Sequence, residues 1–77
     1  MAEVVLPQLG EGIEKATVSY WHFEVGQQVK EGDELVEMAT DKAVFNVPST
    51  TTGILKQKVA QDGEEVKVAG VLAIIEQ

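Results

Sequence analysis

The chain has 77 residues, 44% of them hydrophobic, which suffices for one folded domain below the usual size of about 100–150 residues. Six lysines, no arginine and thirteen acidic residues give a net charge of −7, which argues against a nucleic-acid surface and against an anionic membrane partner. Cysteine is absent, so no disulfide, thiolate metal site or thiol nucleophile is available, and any sulfur chemistry would have to come on a cofactor.

The N-terminus does not resemble a signal peptide, and no apolar run resembles a membrane span. Its first ten residues, MAEVVLPQLG, include a glutamate and no basic residue, which is unlike a signal peptide. The longest apolar run, VAGVLAII at 68–75, is far shorter than the ~20 residues of a membrane span. We expect a cytoplasmic domain, or one of the mitochondrial matrix if the natural chain has lost a transit peptide.

Six segments rich in β-branched and aromatic residues predict strands, and glycine-containing turn signals separate most of them. In chain order they are 2–7, 16–23, 35–40, 43–48, 53–60 and 71–76. The apolar alternation of the second segment changes phase, which favours a β-bulge near residues 19–20 over a strand buried on both faces. No window keeps the apolar period of a helix. The pattern predicts a small all-β sandwich or barrel.

A shift of 37 positions aligns one half of the chain with the other. VGQQVKEGDELV then matches DGEEVKVAGVLA, and Ala16-Thr17-Val18 falls on Gly53-Ile54-Leu55. The repeat predicts two similar halves about a pseudo-twofold axis, each with a strand, a long strand, a glycine turn, a short strand and a final strand. Two units are too few for a solenoid.

Thr40-Asp41-Lys42-Ala43 separates two predicted strands, so Asp41 and Lys42 must occupy a tight turn. Aspartate favours turns because its carboxylate can accept hydrogen bonds from nearby backbone N–H groups. Lys42 stands at the junction of the two halves, and the equivalent junction of the other half brings the chain termini together. We therefore expect the lysine at one end of the domain and the termini at the other, as in a tethered carrier. A lysine that only aids solubility is the alternative.

ATDKAVFNVPS (39–49) resembles the lipoyl-attachment motif of lipoyl domains, whose core is Asp-Lys-Ala. LPQLGEGI (6–13) is similar to the family's opening strand and the loop after it, and Gly26 and Gly53 match its glycines on either side of the modified lysine. The resemblance covers the whole chain. It implies one carrier domain over 1–77, from the acyltransferase component of a 2-oxo acid dehydrogenase complex. The implied all-β fold is a flattened β-barrel, or barrel-sandwich hybrid, of two four-stranded antiparallel sheets with pseudo-twofold symmetry.

By the same resemblance, Lys42 carries amide-linked lipoic acid, and Asp41 and Ala43 flank it to shape the turn and to be read by partner enzymes. Acylation would change the net charge from −7 to −8. The implied partners are a thiamin-dependent 2-oxo acid dehydrogenase, the acyltransferase core, dihydrolipoamide dehydrogenase, and a lipoate ligase or lipoyl transferase. The loop beside the turn is implied to help recognition, with Glu11 and Glu14 as first candidates. We expect a monomeric domain with no catalytic residue and no metal ligand.

Three other functions remain open at this point. A biotin carrier domain shares the architecture, but such domains typically have Met-Lys-Met at the turn, whereas Asp41 and Ala43 flank Lys42 here. An unmodified β-domain that serves as an interaction module would leave Lys42 dispensable. An independent enzyme is disfavoured because no acid, base and nucleophile form a recognisable set.

Some residues are expected to be structural only. Trp21 and Met38 are predicted to lie in the core, and His22, the sole histidine, is predicted to be partly packed because no second metal ligand is spaced with it. The chain stops directly after its last predicted strand, whereas family members usually continue into a flexible linker, a binding domain and a catalytic core. We expect either an excised domain or a small stand-alone carrier.

Overall fold

The computed structural model describes residues 1–77 and contains eight β-strands and no helix. The strands are β1 (Ala2–Val5), β2 (Lys15–Trp21), β3 (Gln28–Val29), β4 (Glu34–Ala39), β5 (Val44–Pro48), β6 (Gly53–Lys58), β7 (Glu65–Lys67) and β8 (Val71–Glu76). All six predicted strands are present, although β1, β2 and β6 end two residues earlier than predicted. β3 and β7 are the short strand of each predicted half. Because the chain forms no helix, it has no helical membrane span.

The strands form two antiparallel four-stranded sheets that match the predicted fold class. One sheet has the order β1-β8-β6-β3 and the other the order β5-β4-β2-β7. The strands β1 to β4 of the first half correspond to β5 to β8 of the second. Replacing each strand by its equivalent converts one sheet order into the other, which confirms the predicted pseudo-twofold symmetry. No strand pairing joins the sheets, so they form a sandwich and do not close into a true barrel.

The predicted bulge is present, and the repeat duplicates it. The pairing of β2 with β4 shifts register between Val18 and Tyr20. The pairing of β6 with β8 shifts between Leu55 and Gln57, at the equivalent positions of the second half. Because a bulge changes which face the following side chains point to, it explains the phase change in the sequence of β2.

Apolar side chains from both sheets fill the space between them. Val18 and Leu55 are buried as repeat equivalents, and so are Leu35 and Leu72. Full burial of one such side chain stabilises the fold by about 1.5–3 kcal/mol. The fifteen buried apolar residues of the core are Val4, Leu6, Ala16, Val18, Trp21, Val29, Leu35, Val36, Met38, Val47, Leu55, Ala60, Leu72, Ala73 and Ile75. The core positions predicted for Trp21 and Met38 are thereby confirmed.

Trp21 is a large core residue that the repeat does not duplicate, since its equivalent is Lys58. Its indole N–H donates a hydrogen bond of 3.0 Å to the Ala60 carbonyl. The Lys58 Nζ lies 5.6 Å from the centroid of the Trp21 ring, within the range of a cation–π interaction. The two halves therefore share a backbone plan but fill it with different side chains at this point.

Two equivalent glycine turns carry the chain from one sheet to the other. Gly26 has φ 96° and Gly63 has φ 86°, a left-handed region that favours glycine. The Gly26 N–H donates to the Leu55 carbonyl at 2.8 Å, and the Gly63 N–H donates to the Val18 carbonyl at 2.8 Å. These turns let β2 be followed by β3, and β6 by β7, in the opposite sheet.

Gly53 is required for a different reason, which is close packing. A Cβ atom at this position would collide with the backbone oxygen of Glu76 and lie 2.8 Å from Cγ2 of Ile75. Its repeat equivalent, Ala16, is buried and carries a Cβ atom. Neither Gly26 nor Gly53 is part of the lysine turn described below, so both act on the fold that supports it.

Candidate functional site

The lysine turn, residues 40–43, connects β4 to β5 and is held by one hydroxyl group. The Thr40 N–H donates to the Ala43 carbonyl at 2.8 Å and continues the β4–β5 ladder. Thr40 Oγ1 accepts hydrogen bonds from the N–H groups of Lys42 at 3.2 Å and Ala43 at 3.0 Å. The same hydroxyl donates to the Ala43 carbonyl at 3.3 Å. The N–H groups of Lys42 and Ala43 are therefore both paired within the turn.

Thr40, not Asp41, supplies the turn's side-chain hydrogen bonds, which corrects the expectation from the sequence. The Asp41 carboxylate makes no hydrogen bond or ion pair in the structure and is exposed. A threonine hydroxyl can stabilise a turn in the same way as an aspartate carboxylate, although more weakly. The sequence carries the signal as a threonine directly before Asp41, but the stronger turn preference of aspartate favours the wrong residue.

Lys42 is exposed at the tip of the lysine turn, and its amine has no partner. Three other lysines form ion pairs, Lys15 with Glu65 at 3.3 Å, Lys56 with Glu76 at 3.0 Å and Lys58 with Glu24 at 3.4 Å. Lys30 and Lys67 are also unpaired, so the absence of an ion pair does not by itself distinguish Lys42. Lys42 differs from them because it lies at the tip of the tight turn that joins two paired strands, β4 and β5.

The lysine turn and the C-terminus lie at opposite ends of β5, as the sequence predicted. β5 runs away from the lysine turn to the loop that follows Pro48. In that loop Thr51 Oγ1 accepts a hydrogen bond of 3.0 Å from Nε2 of Gln77. The five residues of β5 therefore separate the lysine turn from the C-terminus, in a domain that measures 34 × 20 × 17 Å along its principal axes.

A groove of about 590 Å³ lies between the lysine turn and the loop before β2. Asp41 and Lys42 line one side, and Glu14 lines the other. Ala43 flanks the turn and is exposed, but it does not line the groove. Glu11 also lies outside it, in a turn of the same loop. The structure thus brings Glu14 to the lysine, but not Glu11.

His22 is exposed, whereas the sequence suggested a partly packed side chain. Its Nε2 lies 2.7 Å from Oδ1 of Asn46, and its ring meets that of Tyr20 edge-on with the centroids 4.7 Å apart. The ring is therefore held on the outer face of its sheet instead of in the core. No group of three or more His, Asp or Glu side chains is placed to hold a metal ion.

Comparison with known proteins places residues 2–75 in a family model, Biotin_lipoyl, described as "Biotin-requiring enzyme". The chain is 40% identical over 76 residues to the dihydrolipoyllysine-residue acetyltransferase component of the pyruvate dehydrogenase complex of Acholeplasma laidlawii, covering 99% of this chain and 14% of that protein. It is 36% identical over 75 residues to the succinyltransferase component of the 2-oxoglutarate dehydrogenase complex of Staphylococcus saprophyticus, covering 97% of this chain and 18% of that protein. The chain thus spans less than a fifth of these relatives.

A solved structure shares the fold over its full length. It is the lipoyl domain of the 2-oxoglutarate dehydrogenase complex from Azotobacter vinelandii, with a TM-score of 0.78 and 27% sequence identity. The similarity covers 100% of this chain and 98% of that one. The two-sheet architecture of this chain is therefore that of a solved lipoyl domain.

Proposed function

Because this chain belongs to the biotin and lipoyl attachment-domain family, we propose that Lys42 is its attachment residue and that the group it carries is lipoic acid. The domain is a non-catalytic carrier module. The observation that supports Lys42 is its place alone among six lysines at the tip of a hairpin, with an unpaired amine. The domain offers this lysine at the opposite end of β5 from the C-terminus.

The choice of lipoic acid over biotin rests on the residues beside Lys42 and on the relatives. Asp41 and Ala43 stand where biotin carrier domains typically have methionines. The relatives reported above are dihydrolipoyllysine acyltransferase components, and the structural neighbour is a lipoyl domain. The residues present fit the group, since the amide can form on the accessible amine of Lys42 in the exposed tip of the turn.

In this proposal the protein's own residues supply position and recognition. Bound lipoic acid would supply the dithiolane that takes up acyl groups and electrons, which the cysteine-free chain cannot do itself. The Lys42 Nζ forms the amide and loses its positive charge on doing so. Asp41 and Glu14 then remain as unpaired carboxylates beside the groove, where a partner enzyme could read them.

The proposed partners are the enzymes of a 2-oxo acid dehydrogenase complex. A thiamin-dependent dehydrogenase would load the acyl group, an acyltransferase core would remove it, and dihydrolipoamide dehydrogenase would restore the disulfide. Attachment to the same assembly makes each encounter effectively intramolecular, which raises the local concentration of the carrier. Both pyruvate and 2-oxoglutarate types occur among the relatives, so the proposal is limited to the 2-oxo acid class.

The test is the intact mass of the purified domain after incubation with ATP, lipoate and lipoate ligase, beside a parallel reaction with biotin and biotin ligase. We expect a gain of one lipoyl group and no biotinyl group, and peptide mapping should place the gain on Lys42. A biotinyl gain alone would move the domain to carboxylase chemistry. No gain from either ligase, on a folded sample, would favour an unmodified interaction module and overturn the proposal.

A further inference from the structure

We propose that Thr40 is a positioning residue for the acylation of Lys42, and that its hydroxyl fixes the turn conformation which the modifying ligase reads. This inference rests on the proposed function, because it concerns how the attachment lysine is presented. Thr40 acts through the backbone of the tip and does not touch the reacting amine.

The hydrogen bonds of the lysine turn carry this inference. A two-residue hairpin commonly closes with a pair of backbone hydrogen bonds between the residues that flank its tip. Here only one of the two is present, from the Thr40 N–H to the Ala43 carbonyl at 2.8 Å. The Ala43 N–H donates instead to Thr40 Oγ1, at 3.0 Å. The side chain thus replaces the backbone acceptor that would have closed the turn.

The same hydroxyl also binds the attachment residue directly through its backbone. The Lys42 N–H donates to Thr40 Oγ1 at 3.2 Å, so the hydroxyl accepts from two consecutive amides. The side chains of Asp41 and Lys42 make no hydrogen bond or ion pair. Apart from the backbone bond from Thr40 to Ala43, the Thr40 hydroxyl therefore makes the only hydrogen bonds that fix the backbone of the attachment lysine.

The consequence is a specific effect on acylation. Without the hydroxyl, the N–H groups of Lys42 and Ala43 would turn to water, and the tip would sample more conformations. The Lys42 amine would then reach the ligase in many orientations, and a displacement of about 1 Å can lower an enzymatic rate by a factor of about 100. The fold itself would change little, because the lysine turn is exposed and lies outside the core.

The experiment compares Thr40→Val, which keeps the shape and removes the hydroxyl, with Thr40→Ser, which keeps the hydroxyl. Thr52→Val is the matched control, because Thr52 Oγ1 also accepts a backbone N–H, that of Glu31 at 3.0 Å, in the loop at the opposite end of β5. We expect kcat/KM for lipoylation to fall at least about tenfold in Thr40→Val. Thr40→Ser and Thr52→Val should stay within about twofold of wild type, because each keeps the turn hydroxyl.

A structural readout accompanies the kinetics. In wild type, the amide hydrogens of Lys42 and Ala43 should exchange more slowly than that of Asp41, which has no partner. Thr40→Val should remove that difference, and circular dichroism should show an unchanged sheet. This comparison within wild type holds even if a variant folds poorly.

Failure of this inference is distinguishable from failure of the proposed function. If wild type accepts no lipoyl group, the proposed function is wrong. If wild type is lipoylated and Thr40→Val is lipoylated at the same rate, only the positioning role is wrong. Equal losses in Thr40→Val and Thr52→Val would reveal a general stability effect and would also contradict the positioning role.

Discussion

The two halves of the domain share their backbone hydrogen bonds but end differently. The Val18 N–H donates to the Glu64 carbonyl at 2.9 Å, and the Leu55 N–H donates to the Gln27 carbonyl at 2.9 Å, at equivalent positions. In one half β4 continues through the lysine turn into β5, whereas the equivalent strand β8 ends at the C-terminus. The duplicated part of the molecule is therefore scaffold, and the unduplicated turn holds the proposed attachment residue, Lys42.

A second difference lies in the turns that precede β4 and β8. Gly32 has φ 93°, and its equivalent, Ala69, has φ 72°, although a left-handed conformation is unfavourable for a residue with a Cβ atom. Both N–H groups make the same bond, from Gly32 to the Ser49 carbonyl at 2.9 Å and from Ala69 to the Leu6 carbonyl at 2.8 Å. The second half therefore keeps the same turn conformation and hydrogen bond, although the backbone of Ala69 is strained.

The largest expected effect on stability is at Gly53, where the halves differ by one Cβ atom. Gly53→Ala should lower the free energy of unfolding by about 3 kcal/mol, because the added atom meets the Glu76 backbone oxygen, which cannot move without disturbing β8. The matched change, Ala16→Gly, should cost only about 1 kcal/mol through added chain entropy. Urea denaturation measures both. If the two variants lost the same free energy of unfolding, the close approach of position 53 to the Glu76 backbone would not distinguish the two halves.

The glycine turns test the equivalence of the halves. Gly26→Val should cost about 1–3 kcal/mol because valine disfavours a positive φ. Gly63→Val should cost the same within about 1 kcal/mol, since the two turns share their conformation and hydrogen bonds. The measurement is thermal unfolding of both variants. An unchanged melting temperature for either would refute the role given to that glycine.

A smaller and opposite pair of effects is expected at the turns before β4 and β8. Ala69→Gly should stabilise the domain by about 1 kcal/mol, and Gly32→Ala should destabilise it by about 1 kcal/mol, because only glycine adopts this conformation without strain. A change of 1 kcal/mol should move the melting temperature by roughly 4–8 °C in a domain of this size. A lower melting temperature for Ala69→Gly would show that Ala69 makes a contact worth more than the strain.

The scaffold could be predicted well from the sequence because an internal repeat encodes the same strand pattern in both halves. The shift that aligns Gly26 with Gly63 predicted the two halves, and the phase change near Tyr20 predicted the bulge. Strand ends were less accurate, because the chain leaves one sheet for the other through Gly26 and Gly63, and no local pattern marks where pairing stops. β3 is only two residues long and has too few positions to show an alternation.

The site was predicted less completely than the scaffold. The tip position of Lys42 followed from the lack of a spacer between two strands. The hydroxyl that holds the tip was missed, because the choice between Thr40 and Asp41 as turn acceptor depends on side-chain geometry at the hairpin end. The groove places Glu14 beside Lys42 and leaves Glu11 outside, a distinction within one loop that no spacing rule could make.

The smallest expected effect on stability belongs to the residue with the largest functional effect. Lys42→Arg should leave the melting temperature and the β-sheet circular dichroism signal unchanged, because the side chain is exposed and unpaired. Lys30→Arg is the matched control, since Lys30 also is an exposed turn lysine without an ion pair. The most direct measurement is the intact mass of both variants after incubation with lipoate ligase, ATP and lipoate. We expect one lipoyl group on Lys30→Arg and none on a folded Lys42→Arg, whereas a lipoyl group on folded Lys42→Arg would contradict the attachment role proposed for Lys42.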